Sequence, residues 1–211
     1  MEYRITLIVP CLGRPMRTRR MINDILNQNI SNWEAFVIGD GCPEFQKMID
    51  SGEASTFISK AESQGNKLHC YNLDRNYGRF GSPIYDYCIK LSKGKFIIFA
   101  GNDDRIEKNH FEHYLSEIEG SEYDMVYYKT YLDPLNSIRD PEIRLGGIGH
   151  SEMIIKRSAI GDLSHEPVYA SDWSLLTKLL DKGIQIKKAD SEITTYRVMH
   201  IPGLHINDTI D

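Results

Sequence analysis

No segment of this chain is apolar for long enough to cross a bilayer, and the first apolar run, Ile5 to Val9, stops at Pro10. Neither a membrane span nor a secretory leader is therefore expected. Cysteine is scarce. The four residues, Cys11, Cys42, Cys70 and Cys88, are widely spaced and form no C-x-x-C pair. That argues against a zinc site or a disulfide framework, and for free thiols in a reducing compartment. Basic charge is in the minority, with 25 Lys and Arg against 30 Asp and Glu and a formal net charge of −5, which counts against a nucleic-acid partner. One local basic cluster, Arg14, Arg17, Arg19 and Arg20, departs from that balance and is most simply a solvated face beyond Arg14. The glycine signatures of nucleotide folds are missing too. The turn after the first apolar run is Pro10-Cys-Leu-Gly-Arg14, which is neither G-x-G-x-x-G nor a P-loop. Gly146-Gly-Ile-Gly149 follows a loop and reads as a hinge. There is no internal repeat or low-complexity tract. What these absences leave is a cytoplasmic, single-domain protein over residues 1–211, large enough to bury roughly 70% of the surface its unfolded chain exposes.

The most informative segment is Lys95-Phe-Ile-Ile-Phe-Ala-Gly-Asn-Asp-Asp104, a short apolar run that ends in adjacent carboxylates. Phe96 to Ala100 reads as a strand buried on both faces, as in the middle of a parallel sheet. Open α/β sheets bind ligands at the carboxyl ends of their strands. Paired carboxylates there suit Mg²⁺ or Mn²⁺, which bind through one or two carboxylates plus substrate phosphates. The plainer reading is an Asp capping a helix that starts near Glu107.

Strands and helices alternate around this segment. Arg4–Val9, Glu34–Gly39, Lys67–Tyr71 and Tyr123–Tyr128 read as strands, and Met16–Asn27, Gly81–Leu91 and Lys108–Glu119 as helices, with weakly helical sequence over Glu44–Ala61. The rhythm implies a doubly wound parallel sheet over the first 130 residues. Beyond it, Asp133–Gly149 reads as a long loop, Glu152–Lys156, Ile184–Lys187 and Ile193–Arg197 as short strands, and Asp172–Asp181 as a helix. At the sheet's carboxyl edge the sequence sets Arg14, Asp40, Arg75 to Arg79 and Asp103-Asp104. Asp40 suits a base or ribose, the arginines suit phosphates, and the aspartates suit a divalent ion bridging them.

Ile5-Thr-Leu-Ile-Val-Pro10, Phe36-Val-Ile-Gly-Asp-Gly41, Asn76-Tyr-Gly78 and Lys93 to Asp104 together resemble the GT-A-fold glycosyltransferases, especially the family 2-like group. Met153-Ile-Ile-Lys-Arg-Ser158, Ser171-Asp-Trp-Ser-Leu-Leu176 and Tyr196-Arg-Val-Met-His200 extend the resemblance through nearly the whole chain. It implies an α/β, GT-A (Rossmann-like) fold: a mostly parallel central sheet flanked by helices, with a small mixed acceptor-side region. Residues 1–130 would form a nucleotide-sugar-binding half and 131–211 an acceptor and catalytic half, alone or within a larger multi-domain glycosyltransferase.

Carried over residue by residue, the resemblance implies a UDP-sugar donor and a glycan acceptor. Pro10, Leu12 and Arg14 line the nucleotide pocket, and Asp40 meets the base. Arg75 or Arg79, which flank Asn76-Tyr-Gly78, reaches the diphosphate, and Asn76, Asn102 and Asp103 are further nucleotide-sugar contacts. Asp103 and Asp104 match the end of the family's D-x-D motif, one to coordinate Mn²⁺ or Mg²⁺ and the other to meet the ribose or a metal-bound water, with His200 or His205 as a candidate further ligand. The position of the first motif Asp is Gly101, which leaves fewer carboxylates for the metal. Asp172 is the candidate general base of an inverting transfer, although its place before Trp173-Ser-Leu-Leu-Thr also suits a helix cap. Trp173 is a candidate for stacking on an acceptor sugar and equally a core residue, and His150 is a candidate contact to acceptor or phosphate. A retaining transferase, a sugar-nucleotide nucleotidyltransferase and an inactive binding module are the competing readings.

Overall fold

In a computed structural model that describes residues 2–133, 135–168, 170–189 and 192–198, seven strands form one sheet between two layers of helices. The first half alternates as its sequence implies. Strand β1 (Tyr3–Cys11) leads to helix α1 (Pro15–Leu26), β2 (Trp33–Gly39) to α2 (Pro43–Asp50) and α3 (Glu53–Ser63), and β3 (Lys67–Asn72) to α4 (Ser82–Leu91) and β4 (Gly94–Phe99). Strand β1 pairs in parallel with β2 and β4, and β2 with β3. Successive side chains point to opposite faces of a strand, and the core divides accordingly. Ile5, Leu7 and Val9 of β1, with Phe96 and Ile98 of β4, join one apolar cluster, closed by Met21, Ile22 and Ile25 of α1. Ile8, Ile97 and Phe99 join the other, closed by Ile84, Tyr85, Cys88 and Ile89 of α4. Each of the buried Ile, Leu, Val, Met and Phe side chains among these contributes about 1.5–3 kcal/mol over an exposed one.

After β4 the chain forms a two-residue strand β5 (Arg105–Ile106), helix α5 (His110–Ile118), and strands β6 (Met125–Tyr127), β7 (Thr130–Asp133) and β8 (Ser137–Arg139). Strand β9 (Met153–Lys156), helix α6 (Arg157–Ile160), helix α7 (Ser171–Asp181) and strands β10 (Ile186–Lys188) and β11 (Thr195–Val198) complete the described order. The large sheet runs β10-β6-β9-β4-β1-β2-β3, and a second sheet runs β5-β11-β7-β8.

Among the departures from the sequence reading, two shape the region around the site. The expected loop over 133–149 contains β8, which pairs antiparallel with β7, because alternation is too brief there to register as a period. Strand β9 lies antiparallel between β4 and β6, with Ile98 opposite Ile154 and Phe96 opposite Lys156. Its reversed direction brings the start of β9, and the 3-10 turn His150–Glu152 before it, to the carboxyl end of β4. No helix among the described residues is long and apolar enough to cross a membrane.

Candidate functional site

A cleft of about 570 Å³ opens at the carboxyl ends of β1, β2 and β4. Its wall includes Pro10, Leu12, Arg14, Asp40, Asn102, Asp103, Asp104, His150 and Asp172, nine of the residues singled out from sequence. Cys11, Gly78, Gly81, Tyr85, Gly101, Ser151 and Arg197 complete it.

The carboxylate turn is built as a compact unit. Asp104 accepts from the Gly101 N–H at 2.8 Å, and Asn102 Nδ2 donates to Thr18 Oγ1 at 2.9 Å and to the Gly13 carbonyl at 3.3 Å. Asn102 thus ties the turn to the loop after β1. Arg14 Nη1 meets Asp103 Oδ2 at 2.7 Å, and Arg20 Nη2 donates to the Asp103 carbonyl at 3.1 Å. A Cβ on Gly101 would lie 2.6 Å from Asp103 Oδ1 and 3.3 Å from Asp104 Oδ2. The missing side chain is the space into which the two carboxylates fold. Burial and the neighbouring Asp103 push the Asp104 carboxyl up to about 6, against Arg197, the Gly101 N–H and the Ser151 hydroxyl, which favour its anion. Neither aspartate caps a helix, because α5 begins at His110 with Asn109 before it.

Asp40 is buried, and its oxygens accept the N–H groups of Tyr77 at 2.7 Å and Gly78 at 3.1 Å. The carboxylate therefore pins the Asn76-Tyr-Gly78 loop to the end of β2. Gly41 makes that closeness possible: at φ +59 a Cβ there would meet the Arg75–Asn76 backbone at 2.3 Å. The same pinned loop leaves Arg75, Asn76 and Arg79 exposed and outside the cleft wall, with the Arg75 guanidinium 4.9 Å from the Tyr77 ring centroid. The cations in the wall are Arg14 and Arg197 instead.

Arg197 is held by a carboxylate that the sequence did not flag. Glu152 is fully buried and accepts from the Gly149 N–H at 2.6 Å, Thr130 Oγ1 at 2.9 Å and Arg197 Nη1 at 3.1 Å. Arg139 Nε lies 2.7 Å from the same Glu152 Oε1. Two arginines of the smaller sheet thus share one buried anion, and the surplus positive charge lies beside Asp104 and Asp172.

Asp172 stands in the first turn of α7, where Oδ1 accepts the Trp173 N–H at 2.7 Å. Burial raises its pKa above the ordinary carboxylate value and Glu152 adds to the rise, while the Trp173 N–H, Arg197 and Arg139 oppose it. Trp173 is not in the cleft wall; it packs against the cluster containing Leu175, Leu176 and Leu179. His200 and His205 lie outside the described residues. Nor are the neighbours of Arg14 a solvated face: Arg17 is buried, Arg19 pairs with Glu53 at 2.7 Å, and Arg20 braces the carboxylate turn.

Among known proteins, the family model described as Glycosyl transferase family 2 matches residues 6–174. WfgD of Escherichia coli, a UDP-Glc:alpha-D-GlcNAc-diphosphoundecaprenol beta-1,3-glucosyltransferase, is 22% identical over 210 residues, covering 93% of this chain and 78% of WfgD. The chain spans 16%, 37% and 63% of the lengths of three further curated relatives. S. aureus TarS 1–349 in complex with UDP shares the fold at a TM-score of 0.75 and 14% identity, over 93% of this chain and 60% of that one. The mannosyltransferase PcManGT from Pyrobaculum calidifontis, in complex with GDP-Man and Mn²⁺, gives a TM-score of 0.70 at 12% identity, over 97% of this chain and 59% of that one.

Proposed function

The chain belongs to glycosyl transferase family 2 and has the GT-A fold, and from that premise we propose that it transfers a sugar from a UDP-sugar donor to a glycan hydroxyl with inversion. The observation that carries this reading is a cleft whose wall brings together Arg14, Asp103, Asp104, Asp172 and Arg197. UDP is the donor favoured because TarS was solved with UDP and WfgD is named for UDP-Glc.

In this mechanism Asp172 removes the proton of the acceptor hydroxyl. Its Oδ1 is engaged by the Trp173 N–H, so Oδ2 is the oxygen that takes the proton. The acceptor oxygen bonds to the anomeric carbon as the bond from that carbon to the β-phosphate oxygen breaks. The electron pair leaves with the nucleoside diphosphate, whose growing charge Arg14 and Arg197 stabilise.

Asp103 and Asp104 fit a divalent cation as donors. They are adjacent carboxylates in the cleft wall, held in one compact turn by the Gly101 N–H and Arg14. Two carboxylates suffice for Mg²⁺ or Mn²⁺ when phosphates and water complete the shell. When bound, the ion would neutralise diphosphate charge.

Asp172→Asn tests the assignment. UDP affinity should hold while sugar transfer or UDP-sugar hydrolysis falls by about 10²–10⁴. A variant as active as the parent would overturn the role of Asp172.

A further inference from the structure

The wall of the cleft that carries His150 continues inward as a chain of hydrogen bonds. His150 Nε2 lies 2.9 Å from His165 Nε2, and His165 Nδ1 lies 2.6 Å from Asp86 Oδ1. The same Asp86 oxygen accepts the His165 backbone N–H at 3.0 Å. The three residues come from distant parts of the sequence: Asp86 from α4, His150 from the turn before β9, and His165 from the segment between α6 and α7. The His165 side chain is completely buried, so this is a built interior feature.

We propose that Asp86 and His165 act as positioning residues that set the tautomer of His150, making it a neutral hydrogen-bond acceptor for a hydroxyl of the donor sugar. An ionised carboxylate only accepts hydrogen bonds, so His165 carries its proton on Nδ1. With His165 neutral, its Nε2 is bare, and His150 fills the 2.9 Å contact by donating from its own Nε2. That leaves His150 Nδ1 as a lone pair, the ring's one polar atom available to a ligand.

The surroundings favour a neutral His150 and a sugar in reach of it. The ring packs on Tyr85 with centroids 4.4 Å apart and on Phe99 at 5.1 Å. Burial, His165 and Arg197 all push its pKa below the usual histidine range. Ser151, the next residue, shares the cleft wall with Asp104, and its hydroxyl favours that carboxylate's anion. His150 therefore adjoins the diphosphate end of the cleft, where the donor's next unit is its sugar. This placement rests on the UDP-sugar reading.

The test uses the whole chain labelled with ¹⁵N-histidine, together with UDP and UDP-glucose titrations. The spectrum should show His165 protonated on Nδ1 and His150 on Nε2. Asp86→Ala should exchange both tautomers, and Asp86→Asn should restore them, since its Oδ1 still accepts from Nδ1–H and the backbone. His150→Ala should lower the ratio of UDP-glucose to UDP affinity about tenfold. A parent spectrum with His150 protonated on Nδ1, or tautomers unmoved in Asp86→Ala, overturns the relay. An affinity ratio unmoved in His150→Ala overturns the sugar contact. Absence of UDP binding to the parent would strike the donor reading itself and with it the sugar contact, while the ligand-free spectrum still decides the relay.

Discussion

Replacing Glu152 by Gln keeps the shape of the side chain and an acceptor for the Gly149 N–H, but removes the charge that Arg139 and Arg197 share. Breaking a buried ion pair from one side costs about 3–5 kcal/mol, because the partner charge is left without compensation. Here Glu152 is fully buried, while the two arginines keep 23% and 25% of their side-chain exposure. Water can therefore solvate them in part, and the lower end, about 3 kcal/mol, is the appropriate figure. For a domain of this size each kcal/mol moves Tm by roughly 2–4 °C, so Glu152→Gln should melt about 6–12 °C below the parent. Glu119→Gln is the control. Its pair with Arg4 leaves both side chains more than a third exposed, which makes the pair worth about 0–1 kcal/mol at most. Thermal unfolding of the three proteins side by side decides the matter. A Glu152→Gln variant that melts no lower than Glu119→Gln would refute the idea that this anion organises the arginines of the smaller sheet.

Three further outcomes follow from the cleft. Gly101→Ala sets a Cβ 2.6 Å from Asp103 Oδ1, so the carboxylate must move; metal-dependent UDP affinity should fall at least about fivefold, with a Tm change of only a few degrees, and unchanged affinity would contradict the packing. If Asp172 is the base, activity should rise with pH as it ionises, at a pH above the ordinary carboxylate value because its pKa is raised by burial. Arg197→Gln removes a cation that favours the anion, so the acid limb of kcat/KM should move to higher pH; a limb that stays put would exclude Asp172. Asp40→Ala deprives the Tyr77 and Gly78 amides of their acceptors, and their hydrogen-exchange protection should drop by about tenfold or more. Unaltered protection would mean that Asp40 does not hold the loop.

The large-sheet strands of the first half were legible because their signal is local. Ile5–Val9 is apolar apart from Thr6 and Phe96–Ala100 is uninterrupted, and Asp40 and Asp103-Asp104 come just after β2 and β4, so direction along the chain was enough to set them at one edge. The signals that failed are those that depend on partners remote in sequence. Arg197 and Arg139 acquire meaning only from Glu152, whose burial follows from the antiparallel entry of β9 beside β4. Nothing in Glu152-Met-Ile-Ile-Lys156 announces that reversal. His165 sits in an unpatterned segment, and its link to Asp86 spans 79 residues. Arg75 and Arg79 flank Asn76-Tyr-Gly78 and lie outside the cleft wall, and what Asp40 engages in that loop is the backbone amides of Tyr77 and Gly78, a contact no side-chain pattern announces. Gly101 looked like the loss of a ligand; the geometry gives it a use, as room for the two carboxylates that follow.

Calorimetric titration of UDP, with and without Mn²⁺, into the parent, Asp103→Asn and Asp104→Asn most directly tests whether the cleft is a nucleotide-diphosphate site organised by its carboxylate turn. UDP should bind the parent at least about tenfold more tightly with Mn²⁺, and either substitution should abolish that increment while leaving the metal-free affinity near the parent value. UDP binding that ignores Mn²⁺ in all three proteins, or no UDP binding by the parent, would contradict it.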